Sequence, residues 1–147
     1  MTDNFYDEVL LDHNLHPLHL HELPGATCSH AGMNPSCGDE ITLHLELDNG
    51  VIVNGSYTGV GCAISQASAD IMLDLVIGKT PAEALALKAL FMKMIEGEAT
   101  EEEIDALEEA GALKKIAKMP ARVKCAVLSW RTLGAMLDQA IADQCRV

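Results

Sequence analysis

Asn34-Pro35-Ser36-Cys37-Gly38-Asp39-Glu40 runs directly into Ile41-Thr42-Leu43-His44-Leu45-Glu46-Leu47-Asp48. The second part alternates strictly. Ile41, Leu43, Leu45 and Leu47 face one way; Thr42, His44, Glu46 and Asp48 face the other, the period of a half-buried antiparallel strand. His44 is read as solvated. Asp48-Asn49-Gly50 then signals a tight hairpin. The return strand is Val51-Ile52-Val53-Asn54-Gly55-Ser56-Tyr57-Thr58, with Val51, Val53 and Tyr57 expected on its buried face. A two-residue hairpin register makes this part of the chain an antiparallel sheet, and everything before and after it must pack around that sheet.

The flanking sequence is helical. Phe5, Val9 and Leu10 recur at helical spacing within residues 3–14, and the acids lie on the other side. His13, His16, His19 and His21 follow in a tract ended by Pro24-Gly25, read as a solvated connection rather than a metal tract. Cys28-Ser29-His30 is read as an edge segment or loop. After the hairpin, a helix is expected from about Ser65 to Gly78, carrying Ala67, Ile71 and Leu75 inward. Thr80-Pro81-Ala82-Glu83 is a capping box with proline at the first helical position, and that helix runs to about Gly97. Thr100-Glu101-Glu102-Glu103 opens another, to about Gly111, its acids complementing the helix start. Leu113, Ile116 and Met119 continue an apolar pattern. From Pro120 the last helix buries Val123, Val127, Trp130, Leu133, Leu137 and Ile141. The fold class expected is α+β: a small antiparallel sheet of about three strands with helices packed on one face.

The composition narrows the function. One domain over residues 1–147 is the default at this length. Aromatics are few, so the core must be aliphatic. A net charge of −12 argues against nucleic acid and against anionic membrane surfaces, both of which need a basic face. It leaves a basic protein partner open. Met1-Thr2-Asp3-Asn4-Phe5 lacks a basic region followed by an apolar run, and no stretch approaches a membrane span, so a cytoplasmic protein is expected. Five scattered cysteines (Cys28, Cys37, Cys62, Cys125 and Cys145) in a reducing compartment point to metal binding or reactivity before disulfides. Cys145 lies in a tail expected to fray.

Three of those cysteines sit in marked settings. Cys37 and Asp39 are two residues apart across a glycine, so in extended backbone both side chains face one point. Gly38 permits backbone angles closed to residues with a Cβ. Cys62 closes Gly59-Val60-Gly61-Cys62 just ahead of a helix, whose start favours a thiolate. Cys125 lies in the early turns of the last helix, off its apolar stripe, and can point toward the strand ends. Three thiols and a carboxylate make a tetrahedral set suited to zinc. Arg122 and Lys124 flank Cys125, where their charge would offset the anionic ligands or remain at the surface. A ligand set with one exchangeable member can release a thiolate to attack a persulfide sulfur on another protein. The residues alone support a metal site and leave open whether it is structural, a sulfur relay or a cluster scaffold.

Asn34–Asp39, Gly-Val-Gly-Cys-Ala-Ile-Ser-Gln-Ala-Ser-Ala at 59–69 and Pro-Ala-Arg-Val-Lys-Cys-Ala-Val-Leu-Ser-Trp at 120–130 together resemble the SufU branch of the IscU/NifU-like iron–sulfur assembly proteins. Tyr6-Asp7-Glu8-Val9-Leu10-Leu11-Asp12-His13 is similar to the start of that family. IscU-type scaffolds usually carry histidine immediately before the third cysteine; here Lys124 stands there. The helical stretch between Cys62 and Cys125 resembles the insertion of SufU-type proteins. The resemblance implies a SufE/NifU-like fold and a sulfurtransferase-like acceptor of persulfide sulfur from a SufS-type cysteine desulfurase. That sulfur would pass to the SUF assembly complex. It implies zinc held by Cys37, Asp39, Cys62 and Cys125, with Cys37 as sulfur acceptor, freed when a histidine of the desulfurase takes its place. Asp39 would keep the site labile, and Arg122, with Lys124, would lie at the docking surface. The alternative it leaves is a scaffold on which an iron–sulfur cluster is assembled and handed to apo-proteins, with iron or the cluster replacing zinc. The resemblance also implies a first strand over Ala26–Met33, which is less apolar than such a strand should be and is expected to be short or irregular.

Overall fold

The computed structural model describes the backbone of residues 2–34 and 38–145, and the side chains of residues 8–34 and 38–139. The chain order is helix α1 (Thr2–Leu15), strands β1 (Cys28–Asn34), β2 (Asp39–Asp48) and β3 (Val51–Val60), then helices α2 (Ala63–Val76), α3 (Pro81–Ile95) and α4 (Glu101–Ala106), a 3-10 stretch Glu108–Lys118, and helix α5 (Pro120–Cys145). The three strands form one antiparallel sheet in the order β1-β2-β3. α5 packs on β1 and β2 and α2 on β3, while α3 lies against α5. The expected α+β layering is thus present.

β2 is the sheet's centre because its alternation buries one face through Ile41, Leu43 and Leu45, with Leu47 half-buried at its end. Ile41, Leu43 and Leu45 are fully buried, as expected. The same strand supports a polar ladder on the other face. His44 accepts or donates at both ring nitrogens, to Ser29 Oγ on β1 (2.8 Å) and Thr58 Oγ1 on β3 (3.0 Å), so it is half-buried and bonded rather than simply solvated. β3 corrects the expected inward set. The register shifts between Glu46 and Leu47, which pairs Leu47 with Ile52. Ile52 is therefore the buried residue, and Val53 is 43% exposed. A bulge moves alternate side chains to the opposite face, and this one does so for the start of β3.

β1 bears out the edge-segment reading of Cys28-Ser29-His30 against the loop one, and it is regular rather than irregular: a seven-residue edge strand in which every residue from Cys28 to Asn34 has a partner on β2. Its small and polar residues suffice because α5 covers one of its faces. The third correction is helical. The element opened by Thr100 ends at Ala106, and Glu108, the first residue of the 3-10 stretch, takes a positive φ of 51°. Both capping boxes are present, with Thr80 and Glu83 and with Thr100 and Glu103 bonded reciprocally.

α5 buries Val127, Trp130, Leu133 and Leu137, and Val123 in part; the Ile141 side chain is outside the described residues. Trp130 stacks on Phe91 of α3 with ring centroids 4.2 Å apart. Its Nε1–H donates to Ser68 Oγ of α2 (3.1 Å), and that hydroxyl donates to the Ala126 carbonyl (2.6 Å). One side chain thereby fixes α2, α3 and α5 together.

The histidine tract is not a solvated connection throughout. His13 is 5% exposed, and Asp70 is fully buried. Asp70 Oδ2 accepts from His13 Nδ1 (2.6 Å), Glu109 accepts from His13 Nε2 (3.3 Å), and Asp70 Oδ1 accepts from the His19 N–H (2.9 Å). The His19 carbonyl in turn accepts from Tyr57 N–H. Burial opposes charging His13, but the two carboxylates outweigh it and raise its pKa above the ordinary 6.5. A raised folded-state pKa stabilises fully below the unfolded value, and the contribution disappears as pH rises through the folded value. The stability advantage of the wild type over His13→Gln is therefore expected to be largest near about pH 6 and to shrink at higher pH. Urea unfolding across that range measures it; a gap that is constant or widens with pH would contradict this role for His13.

Candidate metal centre

At one end of the sheet, three elements converge. β2 begins at Asp39, α2 begins after Cys62, and Cys125 lies in the first turns of α5. Asp39 Oδ, Cys62 Sγ and Cys125 Sγ all lie within 4.8 Å of one another. Asp39 is 2% exposed and Cys125 fully buried; Cys62 is half-buried. Cys37 lies among the residues outside the described ones. Its sequence position, two residues before Asp39, limits their Cα separation to about 7 Å in any conformation.

Local rules explain each placement. Asn34 and Asp39 are directly opposed at the last rung of β1 and β2, and Gly38 N–H donates to the Asn34 carbonyl (2.9 Å). Gly38 has a φ of 73°, as the sequence predicts for the residue between the thiol and the carboxylate. Gly59 has a φ of 121°, and a Cβ there would run into the Glu40 carbonyl oxygen. Only glycine lets β3 pass this close to β2 just before the chain turns to Cys62. Cys62 is the N-cap of α2: its Sγ accepts from the Ser65 N–H (3.4 Å), and Ser65 Oγ donates to the Cys62 carbonyl (3.1 Å). The helix start expected near Ser65 falls at Ala63, because the thiol itself supplies the cap.

Asp39 is held by one oxygen. Its Oδ1 accepts from the Cys62 N–H (2.8 Å), which locks β2 to the start of α2. Its Oδ2 is buried and has no hydrogen-bond partner among the described residues. A buried carboxylate oxygen left unpaired costs several kcal/mol, on the order of the desolvation penalty of the group. Two thiols approach it, and ionising them would only add like charge. A cation bound between these atoms removes all three penalties at once, so the donor set fits a soft divalent metal. The sequence missed two supporting groups. Ser65 and Gln66 tie the Gly61–Cys62 turn down, Gln66 Nε2 donating to the Gly61 carbonyl (2.9 Å), and a Cβ on Gly61 would meet Ser65 Oγ. Their only signal was position just after Cys62.

Arg122 and Lys124 are both exposed, on the first turns of α5 beside Cys125. Neither has a carboxylate partner among the described residues. Cys28 lies on β1, half-buried, with its Sγ near the Leu45 carbonyl (4.0 Å), and burial pushes its thiol up. It is not part of the converging set. The side chain of Cys145 is outside the described residues.

A helix-backed hairpin sheet that gathers a carboxylate and thiols at its end defines a small α+β fold with a thiol–carboxylate pocket. Residues 5–136 match the NifU-like N-terminal domain family, and the chain belongs to that family. It is 41% identical over 134 residues to the "Iron-sulfur cluster assembly scaffold protein IscU" of Thermotoga maritima, an alignment covering 91% of this chain and 93% of that protein. It is 37% identical over 131 residues to the "Zinc-dependent sulfurtransferase SufU" of Bacillus subtilis, covering 89% and 88%. The crystal structure of the "Putative iron-sulfur cluster assembly scaffold protein for SUF system" from Fervidobacterium islandicum superposes with a TM-score of 0.83 at 35% identity, covering 88% of this chain and 94% of that one. No helix among the described residues is long and apolar enough to cross a membrane.

Proposed function

We propose that the protein accepts persulfide sulfur from a SufS-type cysteine desulfurase and passes it to the SUF machinery in iron–sulfur cluster assembly, acting in the cytoplasm. The observation that carries this reading is the buried, unpartnered Oδ2 of Asp39 beside the Cys62 and Cys125 thiols. With Cys37, these residues would hold zinc, which when bound lowers the thiol pKa values and keeps the sulfurs as thiolates at neutral pH. The remaining chemistry belongs to the chain. The Cys37 thiolate attacks the outer sulfur of the desulfurase persulfide. A new S–S bond forms on Cys37, the old S–S bond breaks, and the electron pair leaves on the desulfurase cysteine as thiolate, with no net oxidation. Asp39, a harder and more exchangeable donor than sulfur, keeps the set from closing irreversibly. Exposed Arg122 and Lys124 supply docking charge beside the pocket. The name of the Bacillus subtilis relative, a zinc-dependent sulfurtransferase, and the lysine at position 124 support this reading.

The Thermotoga maritima relative's name favours a second reading, a scaffold on which an iron–sulfur cluster is assembled and transferred to apo-proteins. The same thiol set can hold iron. Anaerobic incubation with iron, sulfide and reductant decides between them. The sulfur-acceptor reading predicts that zinc stays bound, no stable visible chromophore forms, and the zinc protein stimulates a desulfurase. A stable cluster spectrum with loss of zinc, transferable to an apo-ferredoxin, would overturn it in favour of the scaffold.

A further inference from the structure

We infer a second recognition surface: the open edge of β1 and the adjoining face of α5 bind an extended acidic segment of a partner polypeptide. A groove of about 800 Å³ runs between them. Five consecutive residues of β1, His30–Asn34, line it. Successive strand side chains point to opposite faces, so a run of consecutive residues lines a groove only along the strand's edge. β1 is the outer strand of the sheet, paired with β2 on one side only. Among the described residues no hydrogen bond reaches the backbone of Cys28–Met33 from its other side. Among the described residues that edge is open to another strand.

The opposite wall sets the chemistry of the occupant. Val127 and Leu128 form a buried apolar floor, and exposed Lys124 and Arg131 stand on the rim. Met33, 65% exposed, closes the strand side. The charge pattern around this wall reverses that of the whole chain. Residues 110–137 contain no Asp or Glu but hold six of the ten Lys and Arg: Lys114, Lys115, Lys118, Arg122, Lys124 and Arg131. Lys118, Arg122, Lys124 and Arg131 have no carboxylate partner among the described residues. Lys114 pairs with Glu101 (3.9 Å), away from the groove, but the two cations that line it, Lys124 and Arg131, are exposed and unpaired among the described residues, and on a protein of net charge −12 they match a partner segment bearing Asp or Glu. The groove's size suits a peptide segment held by strand pairing, with alternate side chains on the apolar floor and on the basic rim. None of Asp39, Cys62 and Cys125 lines it; it shares only Lys124 with the docking charge proposed above, and the test variant Arg131→Glu lies outside that set, so the inference does not rest on the sulfur-acceptor reading.

The test uses the full chain and a short synthetic peptide alternating glutamate with valine, with a lysine-for-glutamate peptide of the same length as its counterpart. Fluorescence anisotropy is expected to show saturable, salt-weakened binding of the glutamate peptide alone. Hydrogen exchange is expected to slow at alternate amides of β1. Arg131→Glu is expected to weaken binding at least about tenfold, with an unchanged melting temperature and metal content because Arg131 is exposed. Equal binding of both peptides would overturn the inference. So would saturable binding with no β1 protection, no saturation by the glutamate peptide, or Arg131→Glu binding as well as wild type. Tighter binding of single-stranded RNA than of the peptide would also overturn it, by assigning the basic rim to phosphate.

Discussion

Cys37→Ala is expected to reduce sulfur acceptance from a cysteine desulfurase by on the order of 10³-fold or more, to the level of a protein with no acceptor. The size follows from the chemistry. The step needs one nucleophilic thiolate, and neither of the other two ligand cysteines supplies an equivalent. Cys125 is fully buried, and Cys62 is committed to capping α2. In sequence, Cys37 stands between the end of β1 at Asn34 and the start of β2 at Asp39. Mass spectrometry after desulfurase turnover measures the effect: wild type gains one sulfur atom on the Cys37 peptide, and Cys37→Ala gains none. Cys28→Ala serves as control and is expected to match wild type, because Cys28 sits on β1 away from the converging set. Undiminished sulfur transfer by Cys37→Ala, or sulfur recovered chiefly on Cys62 or Cys125, would contradict the assignment.

Trp130→Ala is expected to be the most damaging single change to stability, costing about 3–5 kcal/mol. Trp130 is fully buried, stacks on Phe91, and caps a chain of two hydrogen bonds through Ser68 to the Ala126 carbonyl. Its removal leaves a cavity where α2, α3 and α5 meet and leaves Ser68 without its donor. For a chain of this size the loss corresponds to a fall in melting temperature of about 10 °C or more. The effect should reach the metal centre, because Ala126 adjoins Cys125 and Ser68 lies on the helix that Cys62 caps. Metal affinity is therefore expected to fall together with stability. Trp130→Phe keeps a ring against Phe91 and should lose clearly less. A Trp130→Ala protein within about 1 kcal/mol of wild type by urea unfolding would show that the three helices are not joined in this way.

Local chemistry explains what was legible in the sequence. The Thr80–Glu83 and Thr100–Glu103 capping boxes, the β2 alternation and the hairpin at Asp48-Asn49-Gly50 depend on residues a few positions apart, and each stands where the sequence placed it. Cys62 was legible for the same reason, as a thiol before a helix. What depended on distant partners was not. The inward turn of Ile52 comes from a register shift against Leu47, and pairing, not periodicity, decides it. The burial of His13 depends on Asp70, 57 positions further on. β1 reads as too polar for a strand until α5, nearly a hundred residues later, covers it. The helix from Thr100 breaks at Glu108, where no glycine or proline marks the break. For the candidate centre, the spacing of Cys37, Asp39, Cys62 and Cys125 matched no familiar zinc finger, and only the fold brings Asp39, Cys62 and Cys125 within a common reach. The free oxygen of Asp39, which argues most directly for a cation, was not visible in the sequence, because it depends on the partner its other oxygen finds.

Zinc-edge X-ray absorption on the protein as purified, with metal content measured on the same sample, tests the account most directly. The account predicts one zinc per chain with three sulfur neighbours near about 2.3 Å and one oxygen near about 2.0–2.2 Å, the sulfur count falling to two in Cys37→Ala. A protein that carries no stoichiometric metal, or zinc bound through imidazole nitrogens with an unchanged sulfur count in Cys37→Ala, would contradict it.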